Sequence, residues 1–230
     1  MNKKLLATSA LALLVSMGAN AQRFTDKLDR GLVAVKTTKG VYCSWRIQAD
    51  EYYDVKYNLY RDGTRVNAEP LDVSNFTDAS GSESSQYTVK AVLNGVEQQA
   101  SKAATVLGNN YKEIIIKHDK SLKATYEPND ACCADVDGDG EVEILMKFTN
   151  LEESAQRYPK NGPTIDGVET KEYSMLACLK QDGTVLWWVN CGPNMGDFQN
   201  NEQNIVGYDW DMDGKAEVVM RLEEGSTVHM

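Results

Sequence analysis

Apolar residues in this chain come in short runs that alternate with polar ones at a period of two, the spacing of half-buried strands rather than amphipathic helices. Before Leu107 the pattern predicts strands at residues 31–35, 41–47, 56–61, 86–92 and 96–100. Asp62-Gly63 and Asn94-Gly95 stand between neighbouring runs, where residues tolerant of positive φ close tight hairpins. Beyond a connector at Gly108-Asn109-Asn110-Tyr111, strands are expected at 114–116 and 120–126. Val142, Ile144 and Met146 alternate with Glu143, Leu145 and Lys147, and a hairpin on Asp182-Gly183 joins residues 173–177 to 185–189. A last short run covers 218–220, and residues 152–167 read as a polar, glycine-containing insertion. The prediction is an all-β protein. Trp45 and Tyr87 take the places of the core tryptophan and corner tyrosine of a fibronectin type III-like β-sandwich, assigned to residues 22–107. Residues 108–230 have the strand, loop, strand and hairpin rhythm of part of a β-propeller, whose ring needs at least about four blades of roughly 40 to 50 residues.

Two polar stretches interrupt this pattern in the same way. Asp135, Asp137, Asp139 and Glu143 occupy positions one, three, five and nine of an acidic loop, with Gly140 at position six. Asp209, Asp211, Asp213, Gly214 and Glu217 repeat those offsets 74 residues later. Aligned carboxylates repel unless a cation joins them, so the expected ligand is Ca²⁺, with the main-chain carbonyls of Glu141 and Lys215 at position seven adding to the oxygen set. A helix-loop-helix site needs an acid at position twelve, where this chain has Met146 and Met220. Strand-loop-strand sites are the expected alternative.

The first residues carry Lys3 and Lys4, then an apolar run too short to span a bilayer, then Ala19-Asn20-Ala21. This predicts a signal peptide over residues 1–21, cut after Ala21, and a secreted or periplasmic protein with no membrane anchor. The net charge of −10 becomes −12 without those lysines, which argues against nucleic acid as a partner. Cys178 and Cys191 either bridge across a hairpin or stay free and buried, and an odd total of five cysteines leaves at least one thiol unpaired within a monomer, the expected state. His118 and His229 stand apart from any candidate acid or nucleophile, and there is no Gly-x-Ser-x-Gly elbow. Trp187, Trp188 and Trp210 suit a strand core or a sugar-stacking surface.

The runs Leu28-Asp29-Arg30-Gly31-Leu32, Tyr42-Cys43-Ser44-Trp45-Arg46 and Tyr57-Asn58-Leu59-Tyr60-Arg61-Asp62-Gly63, followed by Asn129-Asp130-Ala131, both acidic loops and Asp182-Gly183-Thr184-Val185-Leu186-Trp187, resemble polysaccharide lyase family 11 in order and spacing. The resemblance implies a rhamnogalacturonan lyase that degrades pectin by β-elimination, with an N-terminal β domain and a calcium-rich propeller around a polysaccharide cleft. It places Asn129 and Asp130 at that cleft, with Lys147 and Thr149 on the strand after the first loop, and puts the catalytic base beyond residue 230. This chain departs from the family by carrying Lys147-Phe148-Thr149 for Lys-Trp-Asp, and Asn201 where a histidine is usual. The expectation is the N-terminal part of a lyase, inactive alone. The alternative is a non-catalytic, calcium-dependent carbohydrate- or protein-binding module.

Overall fold

The computed structural model describes residues 28–48, 51, 54–117, 122–151, 164–193 and 204–230. The expected signal peptide, His118, residues 120–121 of one expected strand, most of the expected insertion and Asn201 lie outside the described residues.

Eight strands precede residue 108: β1 (Val33–Thr37), β2 (Gly40–Ser44), β3 (Lys56–Arg61), β4 (Thr64–Arg65), β5 (Asn75–Asp78), β6 (Gln86–Leu93), β7 (Val96–Ala100) and β8 (Ala104–Leu107). They join in one sheet of order β4-β3-β6-β8-β1-β2-β5, with β7 paired to β6. Pairing is antiparallel except where β8 lies parallel to β1, matching Ala34 to Val106 and Val35 to Leu107. The sheet curls so that Ala34, Val41, Cys43 and Trp45 meet Tyr57, Leu59, Tyr87 and Val89 in one core. Alternation causes this. In β6 the inward Tyr87, Val89 and Ala91 are fully buried, whereas Gln86 is exposed and Thr88 and Lys90 are half-buried. Each such large apolar side chain stabilises the fold by roughly 1.5–3 kcal/mol.

Trp45 meets the Tyr57 ring edge-on at 5.4 Å. The buried Tyr87 hydroxyl donates to Asp78 at 2.9 Å, and Arg61 donates to the same oxygen at 2.6 Å, which pairs the polar groups of these three side chains. Both predicted turns have positive φ throughout: Asp62 at 50°, Gly63 at 78°, Asn94 at 51° and Gly95 at 78°. The first strand starts at Val33 rather than residue 31, because Gly31 turns with φ of 54°.

The second sheet contains β9 (Tyr126–Ala134), β10 (Glu143–Asn150), β13 (Met175–Leu179), β14 (Val185–Asn190) and β17 (Thr227–His229), all antiparallel, in the order β17-β14-β13-β10-β9. Separate hairpins are formed by β11 (Thr164–Ile165) with β12 (Val168–Glu169), and by β15 (Ile205–Tyr208) with β16 (Glu217–Met220). Every residue of β13 is buried because both faces are covered. Leu176 and Cys178 pack with Leu145 and Val189, while Met175, Ala177 and Leu179 pack with Phe148.

Two expectations change here. Two-sided coverage encloses Glu143 and Lys147 along with Leu145, so the alternation of β10 does not expose its charges. Residues 114–116 form no strand; this connector touches the sheet through a bridge between Lys117 and Thr184. Of the two alternatives for Cys178 and Cys191, the free and buried one holds, and all five cysteines are free thiols, with Cys43 also buried. Among the described residues no helix is long and apolar enough to cross a membrane.

Candidate functional site

The first acidic loop leaves β9 and enters β10, and the second links β15 to β16, so both are strand-loop-strand turns. Their side chains brace the backbone in the same manner. Asp135 accepts from the N–H groups of Gly138 and Gly140, each at 2.8 Å, and Asp209 accepts from Asp213 at 3.1 Å and Gly214 at 2.9 Å. The carboxylate of Glu143 accepts from Val136 N–H at 2.8 Å, as Glu217 does from Trp210 at 2.9 Å. Positions four and six take positive φ: Gly138 at 79° and Gly140 at 85°, then Met212 at 64° and Gly214 at 96°. Glycine meets this demand without a Cβ penalty, and Met212 does not.

This bracing gathers carboxylates. Oxygens of Asp135, Asp137 and Glu143 lie within 4.8 Å of one another, and those of Asp209, Asp211 and Glu217 do likewise. An all-oxygen anionic set of this kind fits a hard divalent cation. The position-five residues Asp139 and Asp213 stay outside these triads. At position seven the Glu141 side chain turns to Lys102 at 3.1 Å, and Lys215 has its N–H held by Asp213 at 2.8 Å. Burial pushes the Glu143 carboxyl above the usual carboxylate range, and the nearby Asp137 charge adds to this.

Three groups that contact the first loop lie outside its own motif. Lys180, just after β13, places its Nζ 2.5 Å from Asp137 and 2.8 Å from Asp139, and 4.0 Å from Glu143. Its hydrogen bonds to those aspartates raise the lysine pKa, and the same contact lowers that of Asp139. Lys102 donates to the Asp139 carbonyl at 2.9 Å, while Asp29 N–H donates to the Gly140 carbonyl at 3.1 Å. These contacts join the first sheet to the loop across 37 or more residues of chain, beyond the reach of local pattern reading. The loops also touch each other, through Ala216 N–H and the Asp135 carbonyl at 2.7 Å. A cavity of about 110 Å³ lies beside this contact, lined by Leu28, Arg46, Asp135 and Asp209 among others.

The other predicted site residues meet at one irregularity. Met146 pairs with Ala131, but Phe148 pairs with Pro128, so two β9 residues, Asn129 and Asp130, stand opposite the single Lys147. This is a β-bulge. It reverses the facing of β9, which sends Cys132 and Tyr126 to different apolar clusters although six residues separate them. Across the bulge Asn129 Nδ2 donates to Thr149 Oγ1 at 3.2 Å. Asp130 is exposed, Thr149 is buried, and Lys147 is wholly enclosed. Of the aromatic candidates, Trp188 stacks on His229 at 3.9 Å, Trp187 packs against the Leu145 cluster, and Trp210 is exposed beside Tyr208.

Residues 23–107 match the family described as Rhamnogalacturonan I lyases beta-sheet domain, and residues 111–229 match Rhamnogalacturonan lyase family 11, C-terminal domain. The chain is 38% identical to the Bacillus subtilis rhamnogalacturonan endolyase YesW over 97% of its own length and 37% of the relative's. It is 37% identical to the exolyase YesX of the same organism, over 90% of this chain and 33% of YesX. The crystal structure of YesW superposes with a TM-score of 0.68, and that of the Bacillus licheniformis rhamnogalacturonan lyase PL11 with 0.69, each covering about 90% of this chain and 35% of the other. The chain thus spans about a third of the length of these relatives.

Proposed function

As a chain that belongs to rhamnogalacturonan lyase family 11, this protein, we propose, supplies the N-terminal part of a lyase that cuts pectic rhamnogalacturonan by β-elimination. The family match carries the reading, and the β9–β10 bulge supports it, since bulges re-aim side chains beside active sites. In β-elimination a base removes the C5 proton of a galacturonate, the glycosidic C4–O bond breaks, and the leaving oxygen gains a proton. The protein must offset negative charge growing on the uronate carboxylate. Asn129 offers an amide for substrate hydrogen bonding, held in place by Thr149, and Asp130 stands exposed beside it. Lys147 stands opposite this pair across the bulge and is fully enclosed.

Calcium is the ion best suited to the two loops, held by Asp135, Asp137 and Glu143 in one and Asp209, Asp211 and Glu217 in the other. When bound, it supplies positive charge that ties strand ends together. The finer architecture follows the same reading: a fibronectin type III-like sandwich over residues 22–107, supported by the Trp45 and Tyr87 core, then blades of a propeller over 108–230, supported by the repeated strand-loop-strand unit. A secretory leader over residues 1–21 would deliver the protein to polysaccharide outside the cytoplasm.

The test is enzymatic. The lyase carrying this segment should release product with the ultraviolet absorbance of an unsaturated uronate from rhamnogalacturonan. Asn129→Ala should lower kcat/KM about tenfold to a hundredfold, the worth of a hydrogen bond to a charged or strongly polarised group. Retained polysaccharide binding with no unsaturated product would instead favour a binding module. Calcium at a hundredfold excess over Kd should stabilise the fold by about 2.7 kcal/mol per occupied loop, read as a rise in Tm that EDTA reverses.

A further inference from the structure

The two loops share their offsets, their backbone bracing and their carboxylate triads, but among the described residues only the first triad has a cation placed among its carboxylates. Lys180 inserts an ammonium among the carboxylates of the first loop, within 4.0 Å of Glu143 and closer to Asp137 and Asp139. Two of these three acids belong to the triad that would hold a divalent ion. Among the described residues no lysine or arginine forms an ion pair with Asp209, Asp211, Asp213 or Glu217. The lysine is placed by its turn rather than by chance. Its N–H donates to the Thr184 carbonyl at 2.8 Å and its carbonyl accepts from Gly183 N–H at 2.9 Å, which closes the Asp182-Gly183 hairpin against the loop. Its side chain is 31% exposed, so the long stem has a path out to water.

We propose that Lys180 is a resident counter-cation of the first acidic loop, which a divalent ion must displace to enter. The loops therefore fill in order, second before first, although their ligands are alike. This rests on the calcium reading above. An ammonium at hydrogen-bond distance neutralises part of the charge that draws a metal, and its departure breaks two charge-assisted hydrogen bonds. Among the described residues the second loop faces no such competitor. Between them the two sites then cover a wider span of calcium concentration than two equal sites.

Calorimetric titration of chelator-stripped protein with CaCl₂ alone tests this. Wild type should show two classes of site, the tighter lost in Asp211→Asn and the weaker in Asp137→Asn. Lys180→Met should tighten the weaker class at least about tenfold and leave the tighter one unchanged. Lys180→Arg, which keeps the charge, should hold the two classes apart. Lys102→Gln is the control: it removes the same unit charge from the same loop, but its ammonium binds Glu141 and the Asp139 carbonyl rather than the triad. It should shift the weaker class less than about threefold, because only a longer-range charge is lost. Equal affinities in wild type, an unchanged weaker class in Lys180→Met, or an equal gain in Lys102→Gln each overturn displacement while leaving calcium binding intact. No calcium heat in any variant overturns the calcium reading and this one with it.

Discussion

Glu97 illustrates how one side chain in the first sheet sets a pH limit. It accepts from Tyr60, from Asn58 at 2.7 Å and from Lys90 at 3.0 Å, and these hydrogen bonds, the Tyr60 one first, pull its pKa from 4.5 to about 2. A carboxylate with a depressed folded-state pKa contributes stability that is complete above its unfolded value and is lost as pH falls through the folded one. The window here runs from 4.5 down to about 2. Melting temperature should fall from pH 5 to pH 3, and Glu97→Gln should flatten part of that fall. A variant with the wild-type slope would remove Glu97 as its source. At the second loop, Met212 holds φ of 64° where the first loop has Gly138, and Met212→Gly should raise stability by about 1 kcal/mol, measured as a higher Tm. The alignment of these loops was legible in the sequence because their carboxylates recur at fixed offsets. Lys180 was not, since it lies 41 or 43 residues from its partners Asp139 and Asp137 and belongs to no motif.

Strands joined by Asp-Gly and Asn-Gly pairs were also legible, because positive φ at those residues is a local chemical requirement. The ninth strand was less so: Pro128, Asn129 and Asp130 are poor strand formers, and only its place at the sheet edge lets Pro128 lack an N–H. Two glycines show how closely elements approach one another. A Cβ on Gly207 would lie 2.7 Å from Ala134 Cβ and 2.9 Å from Leu145 Cδ1, so the β15–β16 hairpin rests directly on β9 and β10. Gly207→Val should lift that hairpin, at a cost of about 1–3 kcal/mol, and weaken calcium binding at the second loop more than at the first. Calorimetry on this variant and on Asp211→Asn would show the same class of site affected. Gly183 has φ of 85° and its missing Cβ would stand 1.8 Å from the Ile115 carbonyl oxygen, which explains how residues without strand pairing can hold the connector to the sheet.

At the scale of the molecule, the first acidic loop is a junction. Asp29 and Lys102 reach it from the first sheet and Ala216 from the other loop. Calcium should therefore govern cooperativity as well as stability: one melting transition in its presence, and two in EDTA, as the sheets come to unfold separately. Lys102→Ala in calcium should move the melt toward the EDTA pattern, and a single transition in every condition would show that the junction carries no coupling. Composition and alternation revealed the strand content, but not the curling of eight strands into one sheet, which depends on the parallel contact between β1 and β8. That contact has a consequence for synthesis. Val35 meets Leu107, so β1 has its second neighbour only after every intervening residue has been made. A chain halted before residue 104 leaves one edge of β1 and the Gln86–Tyr87 end of β6 without their β8 partner, with open N–H and C=O groups ready to pair with another chain. Residues 104–107 thus close the sheet against aggregation, and a pause in translation is safest once they have emerged.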